Sequence, residues 1–415
     1  MNFRFRRWDI SPWVQVGILV AITIAILYLR RPDQFLHPYI WVEDGKYILK
    51  EYARQGAWTL TTPLAGYLLT ATKIISVIAY KTSILYAPEI ELVLVVAFTC
   101  TVIIAVALSP TLLRWPFLCA VSVLLIPSES EVFAVSSYAF WWAGILPLLA
   151  LVWDPDRGRE KLRWLYIVFG GLSSPIIVPV TFLLGLRAVV ERRVTEYYAC
   201  GIGVGITIVQ LLALRSQGFA LESPARALLT LNLVPFIVQT HIGNFFYADH
   251  GSYIGYTALP LLILAGWSAR SRLNCPFLLL VLTFLFVCVN VTARTGVGFN
   301  FALFQPIVLA PRYYFYPFIV LSEIMIWIAA VSVWPVRIGF LAAFAAALFF
   351  AQSLHVNGIG LSRRHDPFDW REQILACAKS DEYNLPIHYI GHANDMWYVT
   401  LTGQECIELL RQSIF

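Results

Sequence analysis

The sequence predicts an all-α polytopic membrane protein with about eleven transmembrane helices at about 20 apolar residues each. Three observations lead there. Of 415 residues, 59% are hydrophobic and only 13% are charged. Mean hydropathy is +0.70. Apolar runs recur along nearly the whole chain. A soluble domain carries about a quarter charged residues, so soluble-enzyme, disordered and fibrous classes are excluded. Residues 1–354 read as one multi-spanning domain with an outer loop at 30–89, and residues 355–415 as a small extracytoplasmic tail.

In order, the apolar runs cover 13–29, 90–113, 115–126, 138–153, 164–172, 176–190, 197–214, 253–267, 276–291, 314–334 and 338–354. The first follows Arg4, Arg6 and Arg7 and has no small-residue cleavage site after it, so it reads as an uncleaved helix. With that basic end in the cytoplasm, Arg157, Arg159, Lys161 and Arg163, then Arg187, Arg192 and Arg193, then Arg270 and Arg272 all fall on the same side. The short loops 127–137 and 173–175 on the other side carry no Lys or Arg. This is the distribution the positive-inside rule requires, and an odd number of spans leaves the C-terminus outside. Two segments resist assignment as spans. Stretch 63–80 holds Thr70, Thr72, Lys73 and Ser76 among apolar residues, and is expected as an amphipathic or half-embedded helix on the outer surface. Stretch 226–246 mixes polar and apolar residues and is read the same way.

The net charge of +5 is scattered between apolar runs and reports topology, so no nucleic-acid partner is expected. Cys100, Cys119, Cys200, Cys275 and Cys288 lie in or beside apolar segments as small hydrophobes, whereas Cys377 and Cys406 lie in the polar tail. No phosphate-binding loop or dinucleotide fingerprint occurs. Gly201, Gly203 and Gly205 fit close helix packing instead.

Residues able to do chemistry gather on the outer side. Glu43 and Asp44 form an adjacent carboxylate pair just beyond the first helix. Two readings fit: Asp44 as N-cap of a helix over 45–55 closed by Gly56, or a general base toward a bound hydroxyl. Glu129 and Glu131 precede Tyr138, Phe140, Trp141 and Trp142, which line a cavity or form an interfacial belt. The segment Gly170-Gly171-Leu172-Ser173-Ser174-Pro175 reads as a tight turn whose irregular backbone suits a cavity wall. Gln239, Thr240, His241, Asn244, Tyr247, Asp249 and His250 form a dense polar cluster without a recognised metal-ligand spacing. Arg312, beside Tyr313, Tyr314 and Tyr316, and Arg294 upstream offer planar forks of donors that match phosphate, with snorkelling to lipid headgroups as the other reading for Arg312.

This layout resembles the GT-C superfamily of integral membrane glycosyltransferases, and within it the bacterial enzymes that use polyprenyl-phosphate sugars. Glu43-Asp44-Gly45, Glu129 to Glu131 ahead of Trp141, Gly171-Leu172-Ser173-Ser174-Pro175 and Pro311-Arg312-Tyr313 occur in the matching order. The resemblance implies an inverting transfer at the outer face of a bacterial inner membrane, from a polyprenyl-phosphate sugar to a hydroxyl of an envelope glycan, lipid or protein. It implies Asp44 with Glu43 as the catalytic carboxylates, and Arg312 and Arg294 on the donor phosphate. Glu131, Trp141, His241 and Tyr313 are then the candidates for lining the substrate. No nucleotide is needed. Some members hold a divalent metal, Mg or Mn, on their acidic loop and others do without, so both remain open here. The tail after His355 departs from larger members: with Trp370, Trp397 and a Cys377–Cys406 pair able to form a disulfide, it is too short for a sizeable acceptor-binding domain. Three other readings compete: a transporter or flippase of lipid-linked glycan, a surface-polysaccharide polymerase or ligase, and an inactive scaffold subunit.

Overall fold

The computed structural model describes residues 11–128, 130–217, 237–246, 251–268, 275–295, 311–357, 369–387 and 397–414. Each of the eleven apolar runs is helical over most of its length. Four described helices, Pro12–Arg30, Ala87–Leu108, Val194–Ser216 and Arg312–Val331, are long and apolar enough to cross a membrane. Shorter apolar helices cover Pro116–Leu125, Ser136–Leu151, Gly255–Trp267, Cys275–Val289 and Trp334–Phe349. A helix satisfies its own backbone groups, which is what a hydrocarbon solvent demands. The protein is accordingly a helical membrane protein.

Burial sorts these helices. In Arg312–Val331, 94% of the most apolar window is buried, against 17% in Pro12–Arg30. The first is the centre of the bundle, apolar on every side because it has neighbours on every side; the second lies at the periphery. The peripheral helix still positions the site, because the arginines at its end reach across the chain. Arg30 donates to the carbonyls of Ile126 and Ser128, at 2.6 and 3.0 Å, and Arg31 donates to that of Phe133 at 3.1 Å. The stretch that leads to Ser136, Ser137 and Tyr138 is held this way.

A buried ionic knot fastens the other end of the bundle. Glu196 accepts from both terminal nitrogens of Arg163, at 2.9 and 2.6 Å, and its Oε1 lies 3.2 Å from Arg187 Nη2. Arg163 also donates to Ala150 O, and Arg187 to Leu151 O and Trp153 O. Helices Glu160–Ser173, Ile177–Glu191 and Val194–Ser216 are thereby clamped to the end of Ile145–Leu151. Arg163 and Arg187, counted in the sequence as loop cations, are both fully buried.

Stretch 63–80 is no candidate span, as expected, but its polar residues turn inward. It forms the helix Thr70–Thr82, whose Ala71, Thr72, Lys73, Ile75, Ser76, Val77, Ala79 and Tyr80 are buried. Its polar side chains find partners inward: Thr72 donates to Ser137 O at 3.2 Å, and Lys73 Nζ donates to the carbonyls of Thr59, at 2.8 Å, and Thr62. Burial pushes the Lys73 ammonium down to about 8, against the pull of Glu51.

The tail adds the two-stranded sheet that the sequence did not announce. Asp369 caps the helix Trp370–Cys377 by accepting from the backbone N–H groups of Arg371 and Glu372. Strands β1 (Glu382–Ile387) and β2 (Trp397–Thr402) pair antiparallel with Leu385 opposite Val399. Thr402 and Glu405 then form a capping box that starts the helix Gly403–Gln412. Leu385, Ile387, Val399 and Leu401 share one apolar core with Ile40, Ile48, Leu49 and Tyr80. Trp370 donates to Ile84 O at 2.8 Å, and Arg371 pairs with Glu89 at 3.0 Å. The segment after the first helix and the tail therefore pack against each other as one body.

Cys377 and Cys406 are bonded across this body, with Cα atoms 6.0 Å apart. Denatured, unreduced protein is expected to label at five cysteines and reduced protein at seven, and seven labels without reductant would remove the bond. Closing a loop of this size is worth about 3–4 kcal/mol, which reductant should take from the unfolding free energy of the tail.

Candidate active site

The acidic pair sits on a turn of unusual pitch. Helical geometry begins at Val42 and widens to a π-turn over Asp44–Leu49 before tightening into Lys50–Gln55. Gly56, with φ of 58°, closes the helix as expected. Asp44 is thus inside the helix, and the capping reading of its side chain does not hold. A π-turn is a frequent mark of a functional position. Gly45 packs directly under the Ile387 side chain of β1, which would have to shift to admit a Cβ at this position.

Side by side in sequence, the two carboxylates face different spaces. Asp44 is 0% exposed. Its Oδ2 accepts from Ser136 Oγ at 2.7 Å and from the Ser137 N–H at 3.0 Å, and Ser76 Oγ stands 3.5 Å from Oδ1. Ser136 Oγ also lies 2.7 Å from Glu91 Oε2. Burial holds the Asp44 carboxyl well above the usual carboxylate range, and the nearby Glu91 charge adds to it, against the hydrogen bonds of Ser137 and Ser136.

Glu43 instead lines a cleft of about 240 Å³. Its other walls include Tyr47, Leu64, Tyr67, Thr72, Ser137, Tyr138, Phe140, Trp141, Pro175, Arg312, Tyr313 and Tyr316. Tyr138 is the hub of its polar end. The Tyr138 hydroxyl lies 3.3 Å from Glu43 Oε1 and 3.0 Å from Glu131 Oε1, and accepts from Arg312 Nη1 at 2.8 Å. Arg312 Nη1 also stands 3.4 Å from Glu131 Oε2. The guanidinium lies 5.7 and 5.8 Å from the ring centres of Tyr138 and Tyr313, within cation–π range. Its Nε and Nη2 make no hydrogen bond among the described residues, which leaves donors for an incoming anion. Burial raises the Glu43 carboxyl above its ordinary range and Glu131 adds to that, against a backbone N–H, Arg312 and Tyr138.

Three buried polar atoms on residues that line this cleft have no partner among the described residues: Glu43 Oε2, Ser137 Oγ and Trp141 Nε1. Buried polar groups in folded proteins are paired with few exceptions, and each exception needs an explanation. Here an acceptor, a hydroxyl and an N–H donor belong to residues that share one aromatic-walled space.

Of the residues expected from sequence, the structure gathers Glu43, Glu131, Trp141, Arg312 and Tyr313 at this cleft, with Asp44 behind its wall. Trp141, 7% exposed, packs on Tyr316 at 4.9 Å and on Tyr313 at 6.0 Å, so it is a wall and not a headgroup belt. Trp142 is buried elsewhere and donates to Val132 O. The Gly-Gly-Leu-Ser-Ser-Pro segment ends the helix Glu160–Ser173. Ser173 accepts from the Ala71 N–H, Ser174 bonds Tyr316, and Pro175 reaches the cleft. His241 is not part of the cleft. It is fully buried with its ring 5.2 Å from that of Tyr314, and burial pushes its imidazole down to about 3. Glu129, Asp249, His250 and the side chain of Arg294 lie outside the described residues.

A divalent metal shared by Glu43 and Asp44 does not fit, because their carboxylates line different cavities. Among the described residues, no three His, Cys, Asp or Glu side chains converge to hold an ion. Sequence reasoning missed Ser136, Ser137 and Glu91. The serines carry no motif; Glu91, a carboxylate one turn into an apolar helix, is a signal that could have been read. Comparisons with family models, with curated proteins and with solved structures return no match to the chain.

Proposed function

We propose that this protein is a membrane glycosyltransferase. It moves a sugar, with inversion, from a polyprenyl-phosphate donor to a hydroxyl of an envelope glycan, lipid or protein acceptor. The observation that carries this reading is an aromatic cleft lined by a carboxylate, Glu43, a serine, Ser137, and Trp141 together with Arg312, in which each of the first three carries a buried polar atom without a partner among the described residues. Donors and acceptors mixed with aromatic walls match a sugar, which presents hydroxyls at its rim and C–H groups on its faces. The free donors of Arg312 match its phosphate.

Glu43 reaches the cleft and Asp44 does not, so Glu43 is the better placed to take the proton of the acceptor hydroxyl as it attacks the anomeric carbon. The bond from that carbon to the phosphate oxygen breaks on the opposite face, and Arg312 neutralises the charge that develops on the leaving phosphate. Asp44 acts one layer back, through the Ser137 N–H. In this reading the chain crosses a bacterial inner membrane about eleven times at about 20 residues per crossing, with the N-terminus in the cytoplasm and the cleft on the outer face.

The test compares lipid-linked and envelope glycans by mass spectrometry in a strain lacking the protein. That strain is complemented with wild type, Glu43→Gln or Arg312→Ala at equal membrane abundance. Loss of one sugar unit, restored by wild type and by neither variant, supports the transferase. Full restoration by both variants overturns it and moves a carrier, tested by vesicle uptake, to the front.

A further inference from the structure

We propose that Asp44 and Glu91 form a one-proton site bridged by Ser136, in which the pair binds a single proton, carries a single negative charge and holds the back wall of the cleft in place. The argument begins with hydrogen counting. Ser136 Oγ lies 2.7 Å from Asp44 Oδ2 and 2.7 Å from Glu91 Oε2. A hydroxyl has one hydrogen to give. Two contacts of this length, one on each side, need a second hydrogen from one of the carboxyls.

Both carboxyls have further donors beside them. Asp44 Oδ2 accepts a second hydrogen bond from the Ser137 N–H, and Ser76 faces its Oδ1. Glu91 is 4% exposed and faces the hydroxyls of Tyr80 and Ser76 besides that of Ser136. One carboxyl therefore gives its O–H to Ser136 Oγ, the Ser136 O–H goes to the other, ionised carboxyl, and the pair shares one proton across Ser136.

No described Lys or Arg forms an ion pair with either carboxyl. The other titratable groups nearby are acidic: Tyr80 from the helix Thr70–Thr82, Glu43 on the same turn as Asp44, and Tyr39 at the edge of the space between them. That space measures about 10 Å³, at the lower limit for one water and too small for a hydrated cation. A proton is what fits.

The site joins three elements that otherwise share no charge: the Asp44–Leu49 turn, the helix Ala87–Leu108 and the Ser136–Tyr138 turn. Glu91 is thus a positioning residue. The shared proton lets Asp44 keep the N–H of Ser137, a residue that lines the cleft. This inference does not depend on which ligand the cleft takes.

Infrared spectra of the full chain in lipid nanodiscs, near neutral pH in H2O and D2O, test it directly. A carboxylic-acid C=O component sensitive to deuteration is expected in the difference between wild type and Glu91→Gln, and at a shifted position in Glu91→Asp. The amide of Glu91→Gln can donate the same hydrogen bond to Ser136, so this variant should complement like wild type, whereas Glu91→Ala should not. No such band in wild type, or a band unchanged in Glu91→Asp and in Glu91→Gln, overturns the proposal. Should Glu91→Gln fail to accumulate, the shift in Glu91→Asp decides alone. The band is read without any sugar transfer, so it survives or fails separately from the transferase reading.

Discussion

Glu43→Gln is expected to lower transfer by about 10²–10⁴-fold, the range supplied by a positioned general base, with no loss of protein from the membrane. Glu43 donates to nothing in the fold, and its Oε2 has no partner among the described residues, so an amide of the same shape removes basicity and little else. Asp44→Asn should behave differently. Asp44 receives the Ser136 and Ser137 bonds in a fully buried place, so that variant should lose abundance as well as activity. Were Asp44→Asn to accumulate normally yet be inactive while Glu43→Gln turned over, the base would be Asp44. The pH dependence has a definite sign. A base must be ionised to act, and burial raises the Glu43 carboxyl. The acid limb of the transfer rate should therefore lie above that of an ordinary glutamate and disappear in Glu43→Gln.

The second large effect lies far from the cleft. Glu196→Gln is expected to destabilise the bundle by about 3–5 kcal/mol, the cost of breaking a buried ion pair from one side. Arg163 and Arg187 are both fully buried and both directed at this one carboxylate. Neither can lose its proton, so removal of Glu196 leaves two cations against one remaining partner for each, Glu160 at 3.7 Å and Glu191 at 3.0 Å. Thermal unfolding in detergent measures this as a lowered midpoint. A midpoint unchanged within error would mean that those peripheral carboxylates already neutralise the arginines.

The helices were legible because a hydrocarbon solvent admits few alternatives: an apolar run must be helical wherever its backbone meets lipid. Stretch 63–80 is no candidate span, as expected, but its polar residues Thr72, Lys73 and Ser76 are buried and not solvated. Thr72 and Lys73 instead face carbonyls supplied by distant turns, and no local pattern encodes that. Trp141 and Arg312 were found from residue chemistry, although choosing wall over belt required the packing of Tyr313 and Tyr316. Of the two readings open for Asp44, the cap is removed because the helix starts at Val42 and not at Gly45. Glu91 was absorbed into an apolar run. Its meaning comes from Ser136, 45 positions away, and a contact of that range leaves no trace in periodicity. The hairpin of the tail escaped for the opposite reason: six-residue strands are stabilised by the loop they pack on, not by their own pattern.

That packing of Ile387 over Gly45 orders the biosynthesis of the protein. Gly45 leaves the ribosome early, but the side chain that packs on it arrives 342 residues later, and the Cys377–Cys406 bond that brackets the hairpin forms only under oxidising conditions. A polypeptide terminated before β1 would thus insert its helices with the acidic turn unsupported.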